Sequence, residues 1–539
     1  MKLRMQTAVL AGLCVALQCS CLAAPAASTS DFGPIGYRGN PQLSTQGKYI
    51  DQRVAEFIAA HGLPGLTMAI VQAPYIPRSA GYGRVSFTHD ELASTKTLWS
   101  IGPITQAFTG VAIFQLYEAH KLDLNDPVGK YLKDLPAAWK QVTLLQLLQH
   151  SSGIPDYRES SAYDPKSRYQ GAQVVGLVKA EPLRFSAGTE VHQSATNFAL
   201  LGLVIERVSG VSYHDFITRN QIKALGLGST MFAQDFAAKS RVDRDHQEPG
   251  HNQHTRFQSD PLYINPVEPA TGYVGKNGTL TPVDSGESSN LFAYGDLWAS
   301  AEDISAWDIA LAGGILIKSP ENRAILYGSA KLSNGSVIPA MSGWEFTHHP
   351  GFMDIKGSSP GFSSYLSRFT APNELVCVTL LTNKEGVDLT GLARDIAGAY
   401  LAGLGSGVDS DDIVTRESVF SVEETSSRLV DTLKKRNVPL FATFDHAANA
   451  TRVGLSLRPT RVLVFGNPEV GTKLMQDSQV SALDLPLKVL IWEDERGQVW
   501  VGYQNMQQFD AKNHLKNGQT SQAISGMLEE IVRKAASVY

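Results

Sequence analysis

The first three quarters of the chain carry hydrophobic patterns of both helical and strand type. From Tyr49 the apolar positions follow helical spacing, and residues 65–71 (Gly-Leu-Thr-Met-Ala-Ile-Val) indicate a buried strand. Residues 104–119 predict an apolar-periodic helix, and residues 198–208 predict a second helix of the same form. The apolar stripe of the first of these helices contains Phe108, Val111, Ala112 and Leu116.

The pattern changes near residue 404, where small and acidic residues predict a linker over 405–417. Ser421 and Glu424 then form the signature of a capping box, which predicts a helix running to about residue 435. Alternating segments predict four strands, and an amphipathic helix closes the chain. The strands are expected over residues 440–444, 461–465, 487–492 and 499–503, with Gly497 in the turn of the last pair, and the helix over 521–535.

The N-terminus has the composition of an export signal. A basic start with Lys2 and Arg4 precedes an apolar stretch and small residues, which predicts a signal peptide over 1–27 and a periplasmic or secreted protein. The alternative is a lipoprotein anchor at Cys19 or Cys21, but neither cysteine has a good lipid-attachment context. Residues 28–47, rich in Gly, Pro and Ser, predict a flexible lead-in.

Composition narrows the function classes. The chain has 539 residues, a formal charge of −5 and 43% hydrophobic residues, which indicates a globular protein of several domains with no electrostatic preference for nucleic acid. No later segment approaches the roughly 20 apolar residues of a membrane span. Three of the four cysteines lie in the predicted signal, so Cys377 is expected to be a buried hydrophobe. No cluster has metal-ligand spacing, and neither metal nor cofactor is predicted.

The segment Thr97-Leu-Trp-Ser-Ile-Gly-Pro-Ile-Thr-Gln-Ala-Phe-Thr-Gly110 resembles the nucleophile site of the penicillin-recognising serine hydrolases. These comprise ampC-type β-lactamases, penicillin-binding DD-peptidases and related esterases. Their Ser-x-x-Lys pair supplies a nucleophile and its base. This chain has Pro103 at the position of the Ser and Gln106 at that of the Lys. Proline has neither a hydroxyl nor an N–H for an oxyanion hole, and an amide cannot act as a base.

The resemblance extends over about residues 46–404. The supporting stretches are Leu122-Asp-Leu-Asn-Asp-Pro-Val128, Leu144-Leu-Gln-Leu-Leu-Gln-His-Ser-Ser-Gly-Ile-Pro155 and Asn197-Phe-Ala-Leu-Leu-Gly-Leu-Val-Ile-Glu-Arg-Val-Ser-Gly210. It implies an α+β fold in which a β-lactamase-like domain over 48–404 combines an antiparallel sheet flanked by helices with an all-helical region. A small α+β domain over 418–539 is expected to follow.

The other two catalytic motifs of that family are also degenerate in this chain. The resemblance places Gln193, Ser194 and Ala195 at the family's Tyr-x-Asn, so the phenol and the side-chain amide are both missing. At the family's His-x-Gly or Lys-Thr-Gly, the chain has Ile355, Lys356 and Gly357, so that only the glycine matches. Losing one member of such a catalytic unit costs about 10⁶ in turnover.

Replacement machinery is the alternative to a loss of catalysis. Ser100, Ser194 and Ser358 could each border the cleft, with His192 as base, provided that nucleophile and base come within hydrogen-bond reach. The alternative is a structural role, in which Ser194 only fills the middle motif position and His192 is a surface neighbour. His150 is expected to be a structural hydrogen-bonder, and His348-His349 a solvated turn.

Residues from about 420 to 514 resemble a family of small, often self-associating domains of unknown function. The matching stretches include Phe444-Asp-His-Ala-Ala-Asn-Ala450, Val464-Phe-Gly-Asn-Pro468 and Ala482-Leu-Asp-Leu-Pro-Leu-Lys488. Five polar residues could line a pocket there, or could be turn and strand-end residues whose hydrogen bonds are satisfied locally. They are Asp445, His446, Arg458, Asn467 and Asp484.

Two hypotheses for function follow. The first is an exported pseudoenzyme that binds a cell-wall-type peptide, another small ligand or a protein partner in its former substrate cleft, with possible self-association through the C-terminal domain. The second is a serine hydrolase of this family that acts through rearranged residues. The residues expected to bind the ligand are Gln106, Gln193, Ser194, Lys356, Gly357 and Ser358.

Overall fold

A computed structural model describes most of the chain after residue 34. The described residues are 35–39, 44–72, 75–87, 91–167, 169–236, 269–276, 279–283, 291–346, 352–369, 376–400, 412–494, 497–516 and 518–538. The predicted signal peptide and His348-His349 therefore lie outside the described residues. Residues 34–539 form one compact unit.

Helices occupy both the N-terminal and the C-terminal parts of this unit. They are α1 Ser44–His61, α2 Thr105–Glu118, α3 Ala137–Lys140, α4 Leu144–Leu148, α5 Gly171–Gly176, α6 Ala195–Ser209, α7 Tyr213–Ile217, α8 Lys223–Leu225, α9 Ala301–Ala312, α10 Pro320–Leu326, α11 Thr390–Tyr400, α12 Val422–Lys435, α13 His446–Arg452, α14 Pro468–Asp477, α15 Met506–Asn513 and α16 Gln519–Ala536.

The strands are β1 Ile35–Gly39, β2 Gly65–Gln72, β3 Tyr75–Ser86, β4 Glu91–Leu92, β5 Trp99–Ser100, β6 Thr230–Phe232, β7 Tyr273–Lys276, β8 Thr279–Pro282, β9 Leu297–Ala299, β10 Ala330–Lys331, β11 Val337–Ile338, β12 Ala340–Met341, β13 Trp344–Phe346, β14 Phe352–Ser359, β15 Phe362–Phe369, β16 Val376–Thr382, β17 Ile413–Ser418, β18 Leu440–Asp445, β19 Thr460–Phe465, β20 Leu487–Glu493 and β21 Val499–Gln504.

The larger sheet is antiparallel and has the order β1-β3-β2-β16-β15-β14-β13-β12, with β4 beside β3. Because side chains alternate along a strand, its two faces pack against different helices. Met68 and Ile70 belong to the apolar cluster that includes residues of α1 and α11. Ala69 and Leu381 belong to the cluster that includes residues of α2, α6 and α9. The sheet therefore lies between two helical layers.

The C-terminal part has its own antiparallel sheet, ordered β17-β21-β20-β19-β18, and its own apolar cluster with residues of α12 and α16. This agrees with the α+β architecture expected from the resemblance. The Ser421 hydroxyl accepts a hydrogen bond from the backbone N–H of Glu424, which confirms the predicted start of α12. Cys377 is buried, as expected.

Two expectations about connecting segments were wrong in part. The lead-in predicted over 28–47 contains β1, which pairs with β3, and the first residues of α1. The linker predicted over 405–417 contains most of β17, which pairs with β21 along its whole length. In both cases the pairing partner is remote in sequence, and Gly, Pro or Ser nearby obscured a short strand.

Candidate functional site

Pro103 lies in a buried 3-10 turn, Gly102–Ile104, immediately before α2. Its ring faces β14 at very short range. A Cβ atom built on Gly357 would lie 3.1 Å from Cδ of Pro103 and 2.2 Å from Oγ of Ser364, so only glycine permits this approach. Proline is tolerated here because an N–H at the start of a helix has no intrahelical partner. The first and third motif positions are therefore in contact, with no hydroxyl contributed by Pro103.

Gln106 is fully buried one turn further along α2 and hydrogen-bonds to His150. Its Oε1 lies 3.0 Å from Nε2 of His150. The opposite ring nitrogen, Nδ1, lies 3.2 Å from the backbone N of Ser194 and 3.1 Å from Nδ2 of Asn197. Because a backbone N–H only donates, Nδ1 is the acceptor, and the neutral ring donates from Nε2 to Gln106. Gln106, which the resemblance aligns with the family's lysine, is thus a hydrogen-bond acceptor in this structure.

Burial lowers the pKa of His150 to about 3, and nearby His192 and Arg158 act in the same direction against Asp156. The ring therefore stays neutral near pH 7, which agrees with its expected structural role. Through its two nitrogens it connects the first motif position to the second. A lysine at position 106 would place its ammonium cation next to the Nε2–H donor of His150.

The second motif position also lacks a phenol or carboxamide in the family's arrangement. Gln193 Nε2 donates to the hydroxyl of Tyr294 at 2.8 Å. The Ser194 hydroxyl is buried and donates to the carbonyl of Pro155 at 3.2 Å. Ala195 is the buried first residue of α6. Of these three residues, Gln193 retains partial access to solvent.

At the third motif position, alternation along β14 separates the predicted binding residues between two faces of the sheet. Ile355 and Gly357 point toward α2, and Ile355 belongs to the cluster that contains Phe108. Lys356 points to the other face, where its Nζ lies 3.1 Å from Oε2 of Glu345 and 3.3 Å from Oδ2 of Asp354. Lys356 therefore does not replace the family's cation beside the nucleophile position.

The serines considered as replacement nucleophiles have other partners or lie elsewhere. Ser100 Oγ is buried and lies 3.1 Å from Oγ of Ser359. Ser358 is exposed on the same side of β14 as Lys356. The Nε2 atom of His192 accepts from Arg184 at 3.0 Å, since a guanidinium can only donate. Among the described residues, none of the three serines hydrogen-bonds to His192.

The five polar residues of the C-terminal part do not converge on one pocket. Asp445 caps α13 and pairs with Arg461, while His446 is the exposed first residue of that helix. Asn467 caps α14. The remaining two have local partners: the Arg458 Nε atom donates to the Glu493 carbonyl, and Asp484 accepts from Lys512 and Asn513.

A buried ionic seam between the N-terminal and C-terminal parts was not predicted. Arg394 of α11 pairs with Glu417 of β17 at 2.7 Å, and both side chains are almost fully buried. The fully buried Glu345 accepts a hydrogen bond at 2.8 Å from the hydroxyl of Ser537, which lies just beyond the end of α16. In the sequence, these contacts are indicated only by the alternation that places Asp354, Lys356 and their neighbours on one face of β14.

Burial dominates the electrostatics of this seam. It raises the pKa of Asp354 to about 7; Lys356 lowers that pKa, and the nearby carboxylates Glu345 and Glu417 raise it. Asp354 also accepts a hydrogen bond from the Tyr365 hydroxyl at 3.0 Å. The charge of this group is therefore sensitive to its immediate neighbours.

Two open cavities lie along the boundary between the two parts. One, of about 380 Å³, is lined by Lys356, Gly357 and Ser358 together with residues of α16. The other, of about 670 Å³, is lined by His192 and Gln193 together with residues of α12 and α16. Gln193, Lys356, Gly357 and Ser358 thus line open space, whereas Gln106 and Ser194 are buried.

Comparison with known proteins places the chain in a family. The family model Beta-lactamase matches residues 50–401, and the chain belongs to this family of serine-hydrolase fold. This chain also has a second domain: the family model for the domain of unknown function DUF302 matches residues 414–531. Both matches agree with the resemblances found in the sequence.

Curated relatives match parts of the chain. Protein flp of Staphylococcus aureus (strain MW2) is 27% identical over 348 residues, which cover 63% of this chain and 64% of flp. The fluoride-specific ion channel FluC 1 of Brucella suis biovar 1 is 42% identical over 118 residues, 19% of this chain and 46% of that protein. The chain therefore spans less than two thirds of the length of either relative.

Solved structures show the same fold at low sequence identity. FmtA from Staphylococcus aureus aligns with a TM-score of 0.54 and 19% identity, covering 71% of this chain and 97% of FmtA. The octameric penicillin-binding protein homologue from Pyrococcus abyssi aligns with a TM-score of 0.54 and 20% identity, covering 84% and 89%. At these identities the likeness concerns the fold.

Among the residues that the structure describes, no helix has the length and apolar character needed to cross a membrane. Within the same ranges, no group of three or more His, Cys, Asp or Glu side chains is arranged to hold a metal ion.

Proposed function

We propose that this chain is an exported, non-catalytic member of the Beta-lactamase family that binds a cell-wall-type peptide, another small ligand or a protein partner. The observation that carries the proposal is the pairing of Pro103 with a buried Gln106 whose Oε1 accepts from His150. Acyl transfer in this fold needs a nucleophile and a base at these positions. Neither residue can perform the corresponding step.

The surroundings of Pro103 support the same proposal. Proline contributes no N–H to an oxyanion hole, and the position is buried beneath β14 at Gly357. The second position offers Gln193, whose amide is engaged with Tyr294. Binding remains feasible because the cavities beside Gln193 and Lys356 are open.

The proposal extends to self-association through the C-terminal part. β18 is an edge strand, and its Leu440, Phe441 and Phe444 side chains are exposed by 37%, 51% and 48%. Long exposed apolar edge strands are templates for pairing with another chain. A second copy of this chain is the partner expected at that edge.

Two measurements on the purified full chain test the binding function against the rearranged-hydrolase alternative. A fluorescent penicillin and a fluorescent fluorophosphonate should leave the protein unlabelled on a denaturing gel, because neither Pro103 nor Gln106 can take part in forming an acyl-enzyme. Native mass spectrometry should detect a non-covalent ligand that co-purifies. Stoichiometric labelling of any serine would favour the hydrolase instead.

A further inference from the structure

The cavity of about 380 Å³ between β14 and α16 is lined on β14 by Lys356, Gly357 and Ser358. Lys356 and Ser358 point away from α2, whereas Ile355 and Gly357 face it. Neither Pro103 nor Gln106 lines this cavity. The volume falls within the range of about 300–1,000 Å³ that is usual for small-molecule sites, and such sites favour boundaries between domains.

The charged lining is mixed in sign. Its cations and carboxylates nearly balance, which disfavours a polyanion or a polycation as ligand and suits a molecule carrying both charges. The cations are Lys356, Arg416 and Arg533, and the carboxylates are Glu385, Asp388, Glu529 and Glu530.

Most of these groups have protein partners. Lys356 pairs with Glu345 and Asp354, Arg416 pairs with Asp388, and Glu530 pairs with Arg436 and Lys534. The Glu385 carboxylate accepts a hydrogen bond from the backbone N–H of Gly361 at 3.0 Å. These groups are therefore committed to holding the two parts of the protein together or to local structure.

Glu529 and Arg533 differ from the rest of the lining. They lie one helical turn apart on α16, on the side that faces the cavity. Neither side chain has a hydrogen bond or an ion pair with any described residue, and they do not pair with each other. Burial raises the pKa of the Glu529 carboxyl, with Arg416 opposing the shift, which is the behaviour of an acid short of compensating contacts.

We infer that this cavity binds a short zwitterionic peptide, whose ammonium group contacts Glu529 and whose carboxylate contacts Arg533. Charge-assisted hydrogen bonds of this kind are the strong ones, and each would give a partner to a side chain that has none among the described residues. The inference rests on the proposed binding function and gives it a ligand class. It also places the binding site beside Lys356 and α16, in a cavity that Pro103 and Gln106 do not line.

Isothermal titration calorimetry on the full chain tests this inference with L-alanyl-L-alanine and D-alanyl-D-alanine. Each dipeptide is paired with its N-acetyl derivative, which lacks the ammonium group, and with its C-terminal amide, which lacks the carboxylate. At least one unmodified dipeptide should bind saturably. Both of its blocked derivatives should bind about tenfold more weakly or worse, a loss of about 1.4 kcal/mol.

The protein variants Glu529→Gln and Arg533→Met should weaken binding of the unmodified dipeptide by about tenfold or more. Glu469→Gln and Lys473→Met are matched controls, because this acidic and basic pair lies at the same spacing on the exposed surface of α14. They should leave the affinity unchanged. If one cavity variant does not fold, the other variant and the blocked dipeptides still decide the question.

The inference would be overturned if the Glu529→Gln and Arg533→Met variants bound the dipeptide as tightly as the unaltered chain does. It would also be overturned if neither dipeptide bound at concentrations up to about 10 mM. Either result leaves the proposed non-catalytic function standing if the chain also stays unlabelled by the covalent probes. Covalent labelling of a serine, in contrast, would remove the proposed function whatever the calorimetry shows.

Discussion

The ring of Pro103 packs directly against Gly357, so that a Cβ atom on Gly357 would lie 3.1 Å from Cδ of Pro103. The sequence resemblance aligns these two residues with the first and third motif positions of the family. Their contact joins the start of α2 to β14, and Pro103 brings no hydroxyl to it. Under the proposed function, proline at this position keeps the helix start intact and cannot form an acyl-enzyme.

Restoring the lysine alone should destabilise the protein. Gln106→Lys would bury an ammonium group beside the Nε2–H donor of His150, at a fully buried position. We expect a loss of about 3 kcal/mol or more in the free energy of unfolding, because a buried charge would have no counterion. Urea denaturation measures it, and Gln106→Met is the neutral control of similar length. Equal stability of the two variants would contradict this description of the site.

Restoring both residues of the first motif should not restore turnover. The Pro103→Ser, Gln106→Lys double variant still has Gln193 at the position of the family's tyrosine, with its amide bound to Tyr294. We therefore expect hydrolysis of a p-nitrophenyl ester to stay at the level of the unaltered chain. Robust hydrolysis by a folded double variant would show that the second motif position matters less than argued.

The buried imidazole of His150 should contribute a pH-dependent term to stability. Its pKa is about 3 in the folded chain and about 6.5 when unfolded, so between these values the unfolded chain binds more protons. The free energy of unfolding should then fall as pH drops through this window, by up to about 1.4 kcal/mol per pH unit.

The His150→Gln variant lacks this term. Its destabilisation relative to the unaltered chain, measured by urea denaturation, should shrink between about pH 7 and pH 5. His446→Gln, at an exposed position, controls for loss of a histidine as such. A destabilisation by His150→Gln that stays constant with pH would argue against a neutral buried ring.

The Arg394–Glu417 pair should matter for the association of the two parts of the protein. Arg394→Met would leave the Glu417 carboxylate, which is 1% exposed, without its cation. Breaking a buried pair in this way costs about 3–5 kcal/mol, and the Arg394→Met, Glu417→Gln double variant should recover part of the loss. Thermal and urea denaturation measure both effects. A single variant as stable as the unaltered chain would refute this role.

The exposed edge strand β18 should mediate self-association. Phe444→Lys places a charge on this edge and should shift the chain toward the monomer in light scattering coupled to size-exclusion chromatography. Val337→Lys is a matched control, since Val337 is 51% exposed, close to the 48% of Phe444, but lies on β11. A monomeric unaltered chain, or an oligomer insensitive to Phe444→Lys, would count against an interface at β18.

Local patterns in the sequence were sufficient to predict α2, α6 and four of the five strands of the C-terminal sheet, because periodicity and capping are properties of neighbouring residues. The resemblance aligns Pro103 and Gly357 with two motif positions, which stays a prediction, and the structure places these two residues in contact. Sequence reasoning missed β1 and most of β17, which depend on remote strands. It also missed the seam, where Glu345 and Ser537 are 192 residues apart.

Predicting the binding residues required knowledge of which face each side chain occupies. Lys356 and Gly357 are adjacent in sequence but point to opposite sides of β14, which motif matching alone does not reveal, and both line the cavity of about 380 Å³. Gln106 and Ser194 were predicted to bind ligand, and that role stays a prediction. Their side chains are buried and hydrogen-bonded to His150 and to the Pro155 carbonyl.

The most direct test of the central claim is the intact mass of the purified full chain after prolonged exposure to excess penicillin or fluorophosphonate. A chain without an activated nucleophile should keep its original mass with both reagents, as should a heat-denatured sample. A mass increase of one adduct that requires the folded protein, followed by its localisation to a serine near Gln193 or Pro103, would contradict the claim.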